Sequence, residues 1–191
     1  MATVKVYPIS SNDSVQQFNA AVNPTKTGNV HFENFDEVTA DDDTSYVQCA
    51  TATHSYEFSK FSDPGVTGTI TNVRFYFRLK HITATGYSRA IVGVGGAYGT
   101  TKTSTTSYQT FTQDFAVNPN TSSAWTFADI YGASSLWFGI EGWGSATKAN
   151  NRLTQFYLEI TYTAPPVGIK MNGAVVSKLN GATISKLNGI A

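Results

Sequence analysis

The side chains able to do chemistry are few and scattered. His31, His54 and His81 are spread too widely for a local zinc motif. A catalytic nucleophile needs an adjacent base and a group that orients it, and no Gly-x-Ser-x-Gly elbow occurs. Asp41, Asp42 and Asp43, with Asp36 and Glu37 close by, offer the hard oxygens that calcium takes. They lack the alternating acids and glycine of a calcium loop, and read instead as a solvated acidic turn that caps backbone amides. Gly93, Gly95, Gly96 and Gly99 imitate a phosphate loop, but a Thr-rich stretch follows where a helix N-terminus is required. The cluster reads as a strand exit or bulge. Cys49 is the single cysteine, so it forms no intrachain disulfide and is expected to be a small buried hydrophobe. Asn12 and Asn120 begin Asn-x-Ser/Thr sequons, which mean little without a secretory leader.

One constellation is better placed. Trp137, Gly139, Glu141 and Trp143 share one strand parity. Two indoles flanking a small residue and a carboxylate form a surface on which a sugar can stack, and Tyr98 is a further stacking candidate. The competing reading puts these tryptophans in a second packed layer or a subunit interface. Glycoside hydrolysis would need a second carboxylate about 5–10 Å away, a distance that sequence spacing does not fix.

These residues are positioned by strands. Charged residues are only 14% of the chain, against roughly 25% in ordinary soluble domains, and Thr, Ser, Asn and Gly take their place. That composition fits pleated surfaces and turns. At 41% hydrophobic and 13% aromatic, the chain can still fill a core. In residues 69–80, Val73, Phe75, Phe77 and Leu79 alternate with Asn72, Arg74, Tyr76, Arg78 and Lys80, predicting a strand with one face buried and one wet. Residues 152–163 alternate similarly, burying Phe156, Leu158, Ile160 and Tyr162. Further strands are expected at 46–51, 56–58, 89–94, 109–115 and 135–143, with a loop over 100–106. Thr126 and Asp129 are spaced as a capping-box variant for one short helix ended by Gly132. Residues 1–30 read as an extended arm, with Val4 and Val6 in an edge strand.

After Pro165-Pro166 a repeat follows. Lys-Met-Asn-Gly at 170–173 returns as Lys-Leu-Asn-Gly at 178–181 and 186–189. Asn-Gly is the strongest two-residue hairpin signal. An even period keeps Met171, Leu179 and Leu187 on one strand face, and this trio marks a candidate attachment or oligomerisation segment. The expected organisation is thus an arm (1–30), a sandwich (31–164) and a repeat tail (165–191). The fold class is all-β: a jelly-roll β-sandwich of about eight antiparallel strands with one short helix.

The stretches Asp42–Val47, Ile70–Arg78, Asn118–Thr121 with Ala124–Ile130, and Arg152–Tyr162 together resemble a jelly-roll domain that recurs in structural proteins of tailed bacteriophages. The tail resembles Asn-Gly repeats near the ends of phage virion proteins. The resemblance implies a non-enzymatic virion component, namely a capsid decoration protein, head fibre or tail-associated adaptor. It implies other virion proteins as partners and a symmetric homo-oligomer such as a trimer, assembled in the host cytoplasm. No active site is carried over and no cofactor is expected. The formal net charge is zero and no basic stripe is visible, which excludes a nucleic-acid footprint. No apolar run approaches the ~20 residues of a membrane span, and the first residues lack the apolar core of a signal peptide. The alternative is a carbohydrate-binding module recognising cell-surface glycans through Tyr98, Trp137 and Trp143.

Overall fold

The computed structural model describes residues 1–11, 18, 20–22, 31–48, 54–83, 85–132, 134–144 and 151–165, and in the tail 169–171, 174–176, 178–179 and 182–183. In chain order the strands are β1 (Ala2–Val6), β2 (Pro8–Ser11), β3 (Ala20–Val22), β4 (Tyr46–Gln48), β5 (His54–Phe61), β6 (Thr69–His81), β7 (Gly86–Val92), β8 (Ala97–Tyr98), β9 (Lys102–Ser104), β10 (Gln109–Phe115), β11 (Phe138–Gly144) and β12 (Asn151–Thr163). The tail adds β13 (Ile169–Met171), β14 (Ala174–Val176), β15 (Lys178–Leu179) and β16 (Ala182–Thr183). A short helix α1 spans Phe127–Ile130.

The body is a jelly-roll β-sandwich of two antiparallel sheets. In the first, β10, β6 and β12 lie side by side, and the far edge of β12 is shared by β4 and β1, with β3 outside β4. In the second the order is β2-β5-β11-β7, and β8 and β9 both pair with β7. Alternation places Val73, Phe75, Phe77 and Leu79 of β6 in the core opposite Phe138 and Ile140 of β11. Four rings pin the sheets together. Phe61 meets Phe138 and Phe156 edge-on at 5.7 and 5.2 Å, and Phe75 meets the same two rings at 5.7 and 5.8 Å. Each ring comes from a different strand, so the cluster ties β5 and β11 to β6 and β12.

The helix forms as its spacing predicts. Thr126 Oγ1 accepts from the Asp129 amide, the Asp129 carboxylate accepts from the Thr126 amide, and Gly132 follows at φ +101°. It seals one end of the core through buried Ile130. The neighbouring Trp125 ring stacks on Phe138, and its indole N–H donates to the Phe115 carbonyl at 2.8 Å.

Four expectations change. Residues 2–11 of the expected arm belong to the sandwich: Val4 and Val6 lie in a strand as expected, β1 runs along β12 and β2 along β5, each filling an open edge of a different sheet. The Thr-rich stretch expected as a loop contains β9, because β7 offers an edge whose backbone groups take partners from 97–98 and again from 102–104. The segment from His31, expected to open the strand region, is a 3-10 turn over His31–Asn34. β12 carries a bulge between Leu153 and Gln155, which resets its alternation so that Leu153 and Phe156 both face inward. Cys49, Asn12 and Leu187 lie outside the described residues.

In the tail β13 pairs with β14 and β15 with β16, with Met171 opposite Ala174 and Leu179 opposite Ala182, and the intervening Asn-Gly pairs lie outside the described residues. The third repeat, at 186–189, lies outside the described residues.

Candidate functional site

The outward face of the second sheet is built in rows across β7, β11 and β5. Strand alternation sends Phe138 and Ile140 inward and Gly139, Glu141 and Trp143 outward. The register then sets Tyr87, Trp143 and His54 in one row, and Arg89, Glu141 and Tyr56 in the next. A third row holds Ile91, Gly139 and Phe58, with Tyr98 of β8 beside Ile91. Beyond it Trp137 sits under Lys60, whose Nζ is 5.1 Å from the ring centre.

Gly139 is required there. A Cβ at this position would stand 2.5 Å from the Phe58 ring and 2.7 Å from the Glu57 carbonyl oxygen. The missing side chain lets Phe58 fold across β11, with Tyr56 stacked beside it at 6.3 Å.

Glu141 is the hub. Its side chain is 1% exposed, His54 Nδ1 lies 2.7 Å from Oε1, and Arg89 Nε donates to Oε2. The Tyr56 hydroxyl also bonds to it. Burial first, and this bond second, push the Tyr56 phenol up to about 12, so it stays a neutral donor at physiological pH. The hub holds the rings around it. Trp143 stacks between His54 and Tyr87, with centroids at 5.4 and 5.7 Å. The Arg89 guanidinium carbon lies 3.8 Å from the Tyr98 ring centre and 5.3 Å from that of Trp143.

Of the sequence candidates, Tyr98 and Trp143 therefore meet at Arg89. Trp137 occupies the far row on the same face; with ~3.3 Å per strand residue it lies about 20 Å from Trp143. Arg89, Tyr56 and His54 were not singled out from sequence. The available signal was the parity of Arg89 with Tyr87 and Ile91 in a strand whose other side carries Ser88, Ala90 and Val92. The partner Glu141, 52 residues away, is visible only in the fold.

The acidic cluster resolves into ion pairs and a cap. Asp41 accepts from the Ser45 hydroxyl and amide, and Asp42 takes Arg78 through two bonds of 2.6 and 2.8 Å. Asp43 takes Lys80 and Arg152, which hold its carboxyl below the usual aspartate range. Arg78 and Lys80 also lie over the Tyr108 ring, at 5.6 and 4.4 Å. The cluster is thus a brace on the first sheet. Among the described residues no group of three His, Cys, Asp or Glu converges as metal ligands. His31 Nδ1 is 3.0 Å from Glu57 Oε2, a pair enclosed between the sheets and away from the outward face. The glycine cluster is a strand exit: Gly93 and Gly95 have φ of +80° and +68°, and the Gly93 amide donates to the Trp137 carbonyl.

No family model and no curated protein matches the chain. Solved structures of similar architecture include the C-terminal CBM6 of LamC, a marine laminarinase from Zobellia galactanivorans. It is 13% identical, with a TM-score of 0.44 over 84% of this chain and 99% of that one. CBM35 from Cellvibrio japonicus Abf62 is 8% identical, with a TM-score of 0.40 over 86% and 96%. The CBM22-1 xylan-binding domain of Paenibacillus barcinonensis Xyn10C is 11% identical, with a TM-score of 0.41 over 78% and 94%. Likeness at this level assigns neither ligand nor site. None of the comparisons indicates a virion protein, so the capsid or tail role implied by the sequence resemblance has no support from them.

Proposed function

We propose that this chain is a non-catalytic carbohydrate-binding β-sandwich whose ligand lies across the outward face of the second sheet. The observation that carries the reading is the row structure of that face. Trp143, Tyr98 and Trp137 stand on one side of one sheet, around a polar hub fixed by Glu141. Such a surface suits a saccharide, whose ring faces are apolar and whose edges are hydroxyls. The roughly 20 Å from Trp137 to Trp143 favours an oligosaccharide over a single sugar.

Hydrolysis is disfavoured by the same geometry. A glycosidase uses two carboxyl groups flanking the scissile bond. Glu141 is the single carboxylate among the described outward residues of β5, β7 and β11, and it is buried beneath the three donors it already accepts from.

A glycan array with the full chain tests the reading. Wild type is expected to retain a defined set of oligosaccharides. Trp143→Ala is expected to lose about 2 kcal/mol, the size of a central aromatic anchor and roughly 30-fold in affinity. Retention of no glycan would discard the proposal.

For the tail we infer a separate attachment role. Strands β13–β16 are two or three residues long and pair only with one another among the described residues, and hairpins of that size are marginal in water without a partner surface. Met171 and Leu179 each end a strand, directly before an Asn-Gly pair in the sequence, and remain the candidate contact residues. If deletion of residues 165–191 leaves the number of associated copies in solution unchanged, the tail is not an oligomerisation element.

A further inference from the structure

Arg89 narrows the class of ligand. Its Nε is committed to Glu141, but among the described residues its two terminal amino groups make no hydrogen bond. The side chain is 27% exposed, while the carboxylate beneath it is 1% exposed. Glu141 therefore offers solvent no open acceptor, and what the hub presents outward at Arg89 is a pair of N–H donors carrying positive charge. Their plane is fixed on three sides: by Glu141 along the Nε edge, by the Tyr98 ring at 3.8 Å and by Trp143 at 5.3 Å. A guanidinium held this way matches the two oxygens of a carboxylate or sulfate through parallel bonds.

We propose that Arg89 is the specificity-determining residue of this face and that it selects an acidic saccharide. A uronate carboxylate or sulfate ester sits on the terminal amino groups, with the sugar ring against exposed Tyr98 and the indole edge of Trp143, whose faces are covered by His54 and Tyr87. This rests on the reading of the face as glycan-binding.

The test is calorimetric titration of the full chain with neutral, uronate and sulfated oligosaccharides of equal length, at low and high salt, with inorganic sulfate as control. The proposal expects at least one acidic series to bind tenfold or more tighter than the neutral one, with the advantage shrinking at high salt. Arg89→Lys, which keeps the charge but not the planar fork, is expected to remove that advantage. If Arg89→Lys does not fold, Tyr98→Ala, which frees one face of the guanidinium, is expected to reduce it about tenfold. The uronate and sulfate arms decide which anion is read. Neutral oligosaccharides binding as tightly as acidic ones would overturn this inference and leave the glycan reading standing. Inorganic sulfate binding as tightly as the sulfated sugar would overturn it as well. Binding of no saccharide would overturn both.

Discussion

Arg89→Met is expected to destabilise the sandwich more than Glu141→Ala, although both substitutions cut the same ion pair. The asymmetry follows from which charge is left behind. Glu141 is 1% exposed, so without Arg89 its carboxylate stays under the sheet surface with only His54 and Tyr56 as donors. Stranding one member of a buried pair costs about 3–5 kcal/mol, and the two remaining bonds set the expectation near 3. After Glu141→Ala the groups left behind are the neutral Tyr56 hydroxyl, Arg89, 27% exposed, and His54, 47% exposed. Arg89 and His54 reach water, so most of the roughly 1.5–3 kcal/mol per charge-assisted bond is recovered, leaving a loss of about 1–2. Replacing both partners by apolar residues, Arg89→Met with Glu141→Leu, is expected to cost less than Arg89→Met alone, because no buried charge remains. At about 2–4 °C per kcal/mol, Arg89→Met lowers Tm by about 6–12 °C. Urea unfolding followed by far-ultraviolet dichroism gives each value, and the Glu141→Leu single variant closes the double-mutant cycle. The reasoning fails if Glu141→Ala is the more damaging substitution, or if Arg89→Met changes stability by less than about 0.5 kcal/mol.

Three further outcomes are expected. Gly139→Ala forces a methyl against the Glu57 carbonyl and the Phe58 ring and costs about 1–3 kcal/mol; an unchanged urea midpoint would show that the row spacing is slack. An NMR titration is expected to place Tyr56 at about 12, and Glu141→Gln to bring it back toward the ordinary value near 10. Because the folded state holds this proton longer than the unfolded chain, stability falls as pH rises through that interval; titration of Tyr56 near 10 in the wild type contradicts the hub. Asp43 and Asp114 are held below the usual aspartate range, first by Lys80 and Arg74 respectively. Their contribution is present at neutral pH and is lost as pH falls below about 3.9 and through their folded values. Burial pushes Glu37 the other way, so its contribution is lost as pH rises through its raised folded value. Since Asp43 and Asp114 are 58% and 48% exposed, 1 M salt should flatten the acid limb; an acid limb insensitive to salt would place the titrating groups elsewhere.

The parts of the fold legible in sequence are those set by local rules. Alternation marks β6 and the second half of β12, the capping pair Thr126 and Asp129 marks α1, and Asn-Gly marks the tail hairpins. What depends on partners distant in sequence is not legible. Val4 and Val6 announce an edge strand in Ala2–Val6 but not its partner, which is β12 because that strand leaves an edge open. Lys102–Ser104 likewise extends because β7 has unpaired backbone groups. The bulge in β12 has no local signature. The site divides the same way. Shared parity put Trp137, Glu141 and Trp143 on one face, but the meeting of Tyr98, Arg89, His54 and Tyr56 around Glu141 is a consequence of strand order.

The central claim is that the outward face of β5, β7 and β11 is where a saccharide binds. Amide and indole chemical-shift mapping during titration with a glycan selected from the array tests it directly. The account predicts that the largest shifts fall on His54–Lys60, Tyr87–Ile91, Tyr98 and Trp137–Trp143. Shifts confined to the first sheet, over Arg74–Lys80 and Gln109–Phe115, would contradict it.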